Sequence, residues 1–397
     1  MNVLFMFVSF NGIDQNRGMY GDLVVEFARR GGNVYVIAPS KTGENYVEAA
    51  GCISIMWVRT MPQFNVGLVR KAIANLLLPY QFSSAMKHFL PQSVDLIVTP
   101  TPPITFCNLI ESVKKKYNSK FFLILRDIFP QNSVDLGMIK KDSLIHKYFR
   151  SKERKLYAIA DKIGCMSIGN IDYILQHNPT IENSKLVIMP NWLENTDRKK
   201  RYDGIGLRKK YGIEGKCIAI FGGNLGIAQQ PENILELAKL HQDKSDLIFI
   251  IIGKGTAKKM LKERISAEHI NNVLLMDHLP REEYEAIASI SQIGLVSLNE
   301  KFTIPNIPSR TLGYWEAKLP VFAIIDKNTD YGVNLIDRHN GGVWCIVGDK
   351  QSYVDKFNFL YNTPVLMRQM GENGKRAIDE YYNARISADI ILNNLYI

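Results

Sequence analysis

Three short stretches of this 397-residue chain carry side chains whose types and spacing can do chemistry. Leu125-Arg126-Asp127-Ile128-Phe129-Pro130-Gln131 sets a cation beside a carboxylate at the end of an apolar run. Charge placed there is costly unless it is paired or used. Asp127 could accept a proton from a substrate hydroxyl, and Arg126 could contact a phosphate. The same two side chains could instead form a structural ion pair at a sheet edge. The second stretch, Phe221-Gly222-Gly223-Asn224-Leu225-Gly226, reads as a loop between a strand and a helix. Its glycines would let a phosphate approach free backbone N–H groups, although simple turn chemistry accounts for them too. Gly253-Lys254-Gly255 has the same standing. The third, Pro308-Ser309-Arg310, opens a helix expected over Ser309–Lys318, ahead of Pro320, with Ser309 as N-cap. Arg310 in its first turn opposes the helix dipole, which makes sense if it meets an anion such as a pyrophosphate; a solvated arginine is the bland alternative.

Other chemistries lack their motifs. The spacing Gly-Gly-x-x-Gly is not the Gly-x-Gly-x-x-Gly of a dinucleotide site, and neither glycine stretch fits a P-loop. No Asp-x-Asp, HExxH, close His pair or Gly-x-Ser-x-Gly is present, so metal-free chemistry is expected, with no cofactor. Five scattered cysteines with no CxxC point to a reducing cytoplasm. No apolar run reaches the roughly 18 residues needed to span a bilayer, and Val3–Phe10 reads as a buried strand rather than a signal peptide.

Charge is unevenly placed. Of the net +10, residues 1–200 hold +9 and the remainder +1, so the first half is expected to face an anionic surface or substrate. Residues 66–90 carry Arg70, Lys71, Lys87 and His88 with no acidic residue, around the apolar stretch Ile73–Leu78. That combination suits a membrane interface or an amphiphilic acceptor, or else a core helix with solvated cations. Lys114–Lys116 and the cluster from Lys147 to Lys155 add to it. Nucleic acid is not expected as a partner, since the lysine clusters lack interleaved aromatic residues.

The elements that must position these residues alternate along the chain. Short apolar runs read as buried parallel strands at Val3–Phe10, Val34–Ala38, Asp95–Thr99, Phe121–Leu125, Ile163–Ser167 and Leu186–Met189. A second set falls at Cys217–Phe221, Leu247–Ile252, Val273–Met276, Ile293–Leu298, Val321–Ile325 and Val343–Val347. Helical segments lie between them, for example Asp22–Arg30 and Pro231–His241. This is the pattern of an α/β protein with two doubly wound sheets. The polar stretch Glu194–Gly215 separates the sets. The expected domains are 1–195 and 215–375, facing a cleft with one substrate held by each, with helices in 376–397 bridging back across the lobes.

In these residues the sequence resembles glycosyltransferase family 4, of the GT-B fold, and within it bacterial O-antigen and capsule transferases of the N-acetylfucosamine-transferase-like group. The matching stretches are Arg126–Gly137, Met189-Pro190-Asn191-Trp192, Gly223–Gln229 and Pro308-Ser309-Arg310, with Leu319-Pro320-Val321 beyond. The resemblance implies a retaining, metal-independent transfer from a nucleotide-sugar, UDP-linked, to a polyprenyl-diphosphate-linked saccharide at the inner face of the cytoplasmic membrane. It implies that Gly223, Asn224 and Gly226 line the donor phosphates with Lys254 and Ser309 alongside. Arg310 would neutralise the leaving pyrophosphate. On the acceptor side Asp127 would orient or deprotonate the hydroxyl beside Arg126, Gly18 would admit substrate to the backbone, and Asn191 would lie at the interdomain edge. Two glutamates common in the family are replaced here by Pro305 and Gly313, and Glu316 falls three residues later. That departure keeps two rivals open, a sugar-nucleotide 2-epimerase and a non-catalytic binding or scaffold subunit.

Overall fold

Apolar strands alternating with amphipathic helices build two separate sheets in the computed structural model, which describes residues 1–14, 17–62, 67–87, 89–193 and 202–395. The chain divides into two compact units, one of Met1–Glu194 with Asn383–Ile397 and one of Asn195–Tyr382.

The first unit contains β1 (Asn2–Met6), β2 (Asn33–Pro39), β3 (Tyr46–Ala50), β4 (Ile53–Val58), β5 (Leu96–Pro100), β6 (Lys120–Leu125), β7 (Lys162–Cys165) and β8 (Leu186–Ile188). They form one sheet in the order β3-β4-β2-β1-β5-β6-β7-β8. Every pairing is parallel except β3 with β4. The β3–β4 hairpin was not expected from the sequence. Tyr46–Ala50 is largely exposed and carries Glu48, which accepts a hydrogen bond from the Trp57 indole at 2.8 Å, so it lacks the continuous apolar run of a buried strand. Val3, Phe5, Phe27, Val36 and Val98 are fully buried in the core beneath helix Gly18–Arg29.

The second unit contains β9 (Cys217–Asn224), β10 (Leu247–Lys254), β11 (Val273–Met276), β12 (Ile293–Ser297), β13 (Val321–Ile325) and β14 (Gly342–Ile346). Its sheet is parallel throughout, in the order β11-β10-β9-β12-β13-β14. The order reverses between β9 and β12. Ligands of open α/β sheets bind at the carboxyl ends of the strands flanking such a switch point.

Of the polar stretch Glu194–Gly215, residues 194–201 lie outside the described residues, as do Val66 and His88 of the basic segment. Within its remainder Gly204–Tyr211 is helical, capped by Asp203, which accepts from the Gly206 N–H at 2.9 Å, and closed by Gly212 at φ +64°. Cap and stop residues gave this stretch the composition of a linker. The tail holds two helices. Helix Pro364–Tyr381 belongs to the second unit, whereas Ala384–Leu395 belongs to the first. The closing helix lies on Gly18–Arg29, tied by Arg30 to Asp389 at 2.6 Å and to the Arg385 carbonyl at 2.9 Å.

Candidate functional site

The carboxyl end of β9 carries the glycines singled out by the sequence. Gly222, Gly223 and Asn224 lie on the strand itself, not in a loop after it, and the strand stays in register with β10 to the pair Asn224–Lys254. The Gly222 N–H donates to the Tyr314 hydroxyl at 3.1 Å, and a Cβ on Gly222 would stand 2.2 Å from the Tyr284 ring. Only glycine leaves room there for both tyrosines. Gly223 has φ +127°, a region L-residues rarely adopt. A Cβ added to it would lie 3.5 Å from the Arg310 guanidinium.

Arg310 therefore sits against the glycine turn. Its Cζ is 4.5 Å from the centroid of the Phe221 ring, a cation–π arrangement. Its Nη1 is buried and has no hydrogen-bond partner. Burial raises the Tyr284, Tyr314 and Tyr331 phenols above their ordinary pKa, and the Arg310 charge partly opposes the rise in all three. The cation thus stands among neutral hydroxyls, with no counter-ion at hydrogen-bond distance among the described residues. A buried N–H left unmatched carries a desolvation cost that an incoming anion would recover.

The position of Arg310 is set by its helix, Arg310–Glu316, whose Trp315 is wholly buried and donates to the Gly341 carbonyl at 2.9 Å. Ser309 does not cap that helix. It is itself in the right-handed helical region, and its side chain makes no capping hydrogen bond. The helix ends at Glu316, two residues before the expected stop, and Lys318 turns the chain at φ +58°. Glu316 is held by Lys375 at 3.5 Å.

Around the turn, Asn224 donates to the Gln229 side chain at 3.3 Å, close against Gly226. Gly253 and Gly255 are explained by backbone packing. A Cβ on Gly253 would stand 1.9 Å from the Gly223 carbonyl oxygen, and one on Gly255 2.3 Å from that of Leu225. The Leu225 N–H donates to the Lys254 carbonyl at 2.9 Å, and the Lys254 side chain is exposed beside Asn224. The unit thus gathers Gly223, Asn224, Gly226, Lys254 and Arg310 at one strand end. Tyr284 and Tyr314 were missed by the sequence reading, since nothing in their local sequence links them to the glycine stretch.

In the first unit Arg126 and Asp127 follow β6. The Thr101 hydroxyl accepts from both their backbone N–H groups, at 2.9 and 3.2 Å, and donates to the Asp127 carbonyl at 3.0 Å. Each side chain feels the other's charge, but they share no hydrogen bond, so the edge ion pair is not what holds them. Arg126 lies 5.9 Å from the Trp192 ring, with Nη1 buried and unmatched. Burial lowers its pKa, opposed by Tyr20 and Asp127. Burial raises the Asp127 carboxyl, opposed by Arg126. A carboxyl held above its ordinary pKa suits a proton acceptor. Trp192 is fixed by its indole N–H donating to the Met19 carbonyl at 2.8 Å, and Tyr20 stacks on Phe7 at 4.9 Å. Gly18 (φ +67°) opens helix Gly18–Arg29, and an added Cβ would stand 3.5 Å from the Asn11 amide. Asn191 is buried after β8.

Among the described residues no His, Cys, Asp and Glu side chains gather in threes to hold a metal ion, and no helix is long and apolar enough to cross a membrane.

Comparison with known proteins bears on the family and the fold. Residues 206–377 match the family described as glycosyl transferases group 1, so the second unit carries a domain of that kind. The chain is 23% identical over 351 residues to "Probable glycosyltransferase WbjE" of Pseudomonas aeruginosa, covering 87% of this chain and 86% of that one. The chain is thus homologous to glycosyltransferases. Among solved structures it is similar to WaaG, a glycosyltransferase involved in lipopolysaccharide biosynthesis, with a TM-score of 0.70 at 15% identity over 98% of this chain and 99% of that one. HepE of Anabaena, in complex with UDP and glucose, gives a TM-score of 0.67 at 13% identity over 100% and 99%. The fold is the two-domain α/β arrangement of GT-B glycosyltransferases.

Proposed function

We propose that this chain is a glycosyltransferase of bacterial surface-polysaccharide assembly that moves a sugar from a nucleotide-sugar, UDP-linked, to a polyprenyl-diphosphate-linked saccharide at the inner face of the cytoplasmic membrane. The observation that carries this reading is the Arg310 guanidinium, stacked on Phe221 against Gly223 with a buried N–H unmatched. The donor diphosphate would lie along Gly223, Asn224 and Gly226, with Lys254 and Ser309 at its margin, and Arg310 would hold the charge that grows on it as the glycosidic bond breaks. A preorganised cation at a departing oxyanion is among the largest contributions an enzyme can make. Arg310 would thus do the work a metal ion does elsewhere, in a transfer that retains anomeric configuration. Asp127 would take the proton of the acceptor hydroxyl, with Arg126, Gly18 and Asn191 on the acceptor side. Homology to "Probable glycosyltransferase WbjE" supports sugar transfer, likeness to WaaG supports the lipopolysaccharide context, and the UDP held by HepE supports the choice of base.

The test is thermal melting with UDP, GDP, ADP, CMP and their sugars. A ligand at 100 times its dissociation constant stabilises the native state by about 2.7 kcal/mol, a rise of a few degrees. A rise selective for uridine nucleotides, lost in Arg310→Ala, is expected. No rise with any nucleotide would overturn the reading in favour of a non-catalytic subunit. Conversion of the donor with no acceptor present would identify an epimerase instead.

A further inference from the structure

Helix Leu68–Met86 has two apolar faces. Ala74, Leu78, Phe82 and Met86 are buried, as a surface helix requires. Ile73, Leu76, Leu77 and Tyr80 point outward, at the spacing i, i+3, i+4, i+7 that makes one continuous stripe, and Tyr80 is 75% exposed. Helix Leu144–Ile159 does the same at its start. Ser143 caps it by accepting from the His146 N–H at 3.2 Å, and the first turn projects Leu144 (85% exposed) and Ile145 (60% exposed) into solvent. The two helices are neighbours. Both pack on the turn Ile104–Phe106, the Thr105 hydroxyl donates to the Asn75 carbonyl at 3.1 Å, and the Tyr148 phenol lies within electrostatic reach of Tyr80. Monomeric soluble proteins rarely leave contiguous apolar surface of this kind uncovered.

Charge around the stripe is predominantly positive, although Asp142 stands exposed between Lys141 and Leu144. No carboxylate occurs between Glu48 and Asp95, a stretch that includes Arg70 and Lys87, both exposed. On the second helix the single acid, Glu153, is buried and satisfied by Arg150 and Tyr157. Lys140, Lys141, Lys147 and Arg154 are exposed, and among the described residues none has a carboxylate within ion-pair distance. Apolar anchors ringed by unpaired cations are complementary to a bilayer surface, whose acyl boundary takes the first and whose anionic headgroups take the second.

We infer that helices Leu68–Met86 and Leu144–Ile159 together form the surface by which the first unit docks on a bilayer containing anionic lipid. This rests on the proposed function, since an acceptor anchored in lipid is reached only by an enzyme held at that lipid. Leu144, Ile145, Leu76, Leu77 and Tyr80 enter the headgroup region, and Lys140, Lys141 and Lys147 meet its phosphates.

Co-sedimentation with vesicles tests it, using phosphatidylcholine alone and phosphatidylcholine with phosphatidylglycerol. The protein is expected to bind only the anionic vesicles and to be released by salt. The variant Lys140→Gln/Lys141→Gln/Lys147→Gln should lose about fivefold in partitioning per lysine. Leu144→Ser/Ile145→Ser should bind weakly at any lipid charge. These are exposed positions, so both variants should melt as the wild type does. Equal binding to neutral vesicles, or binding untouched by either variant, overturns the docking surface. So does a concentration-dependent dimer, seen without vesicles and abolished by Leu144→Ser/Ile145→Ser, which would give the face to a second copy. Nucleotide-induced stabilisation reads the other hypothesis separately. Vesicle binding without nucleotide stabilisation sinks the transferase and leaves the surface, and the reverse result sinks the surface alone.

Discussion

The guanidinium of Arg310 lies 3.5 Å from the point where a side chain on Gly223 would begin. Glycine at φ +127° and an arginine 87 positions later therefore share one small volume, with Phe221 beneath. Arg310→Ala should cut turnover about 100- to 1,000-fold, the usual cost of losing one charge-stabilising group. Arg310→Lys should recover little, because an ammonium lacks both the planar fork and the stacking surface over Phe221. Steady-state rates on both variants check this; an alanine variant with wild-type turnover removes Arg310 from the mechanism.

Tyr314 ties the same strand end to the helix behind it. In Tyr314→Phe the Gly222 N–H loses its acceptor in a buried site, at about 1–3 kcal/mol. For a unit of this size the melting temperature should fall by roughly 2–4 °C per kcal/mol. The nucleotide-induced rise should shrink as well, since Gly222 and Gly223 are then free to shift. A melting curve with and without nucleotide separates the two effects.

How far the sequence reveals this arrangement depends on what each residue's signal measures. Parallel strands such as Leu247–Lys254 are legible because burial on both faces demands an unbroken apolar run. Tyr46–Ala50 is hidden because an exposed edge strand makes no such demand. Gly223 and Arg310 are legible as unusual residues, one permissive and one against a dipole, although nothing local says that they meet. Tyr284 is illegible: on the amphipathic helix Arg281–Ser289 it reads as a core residue, and only the folded chain shows it filling the space that Gly222 leaves empty. Ser309 misleads in the other direction. Serine before a helix is a good cap only in extended geometry, and here its own backbone is already helical.

Asp127 gives a pH signature. Burial holds its carboxyl above the ordinary value of 3.8, so the basic form is lost as pH falls through that raised pKa. The acid limb of the pH–rate profile should therefore lie above 3.8, where a solvated aspartate would put it. Asp127→Asn should lower turnover about 100- to 10,000-fold and abolish that limb. Nucleotide-induced stabilisation should be unchanged, as the donor glycines belong to the other unit. An asparagine variant with the same acid limb would assign the limb elsewhere.

His339 makes stability, rather than rate, depend on acid. Its Nε2 shares a hydrogen bond with the Tyr382 hydroxyl at 2.6 Å, and its ring lies 5.8 Å from Trp315 and 5.4 Å from Tyr381. Burial, with the neighbouring Arg338 charge, lowers its pKa to about 4. The unfolded chain thus binds this proton below about pH 6.5 and the native protein only near pH 4. Stability contributed by the neutral ring is full above 6.5 and is lost as pH falls through that window, because there the unfolded state holds the extra proton. By about pH 5 the loss should amount to roughly 1–2 kcal/mol. His339→Gln keeps a partner for Tyr382 but cannot titrate, so the difference in stability between the two proteins should narrow steadily as the pH is lowered from 7 to 5. Urea unfolding at a series of pH values measures that difference directly, and a gap that stays constant across the series would show that the ring titrates with the same pKa in the native and unfolded states.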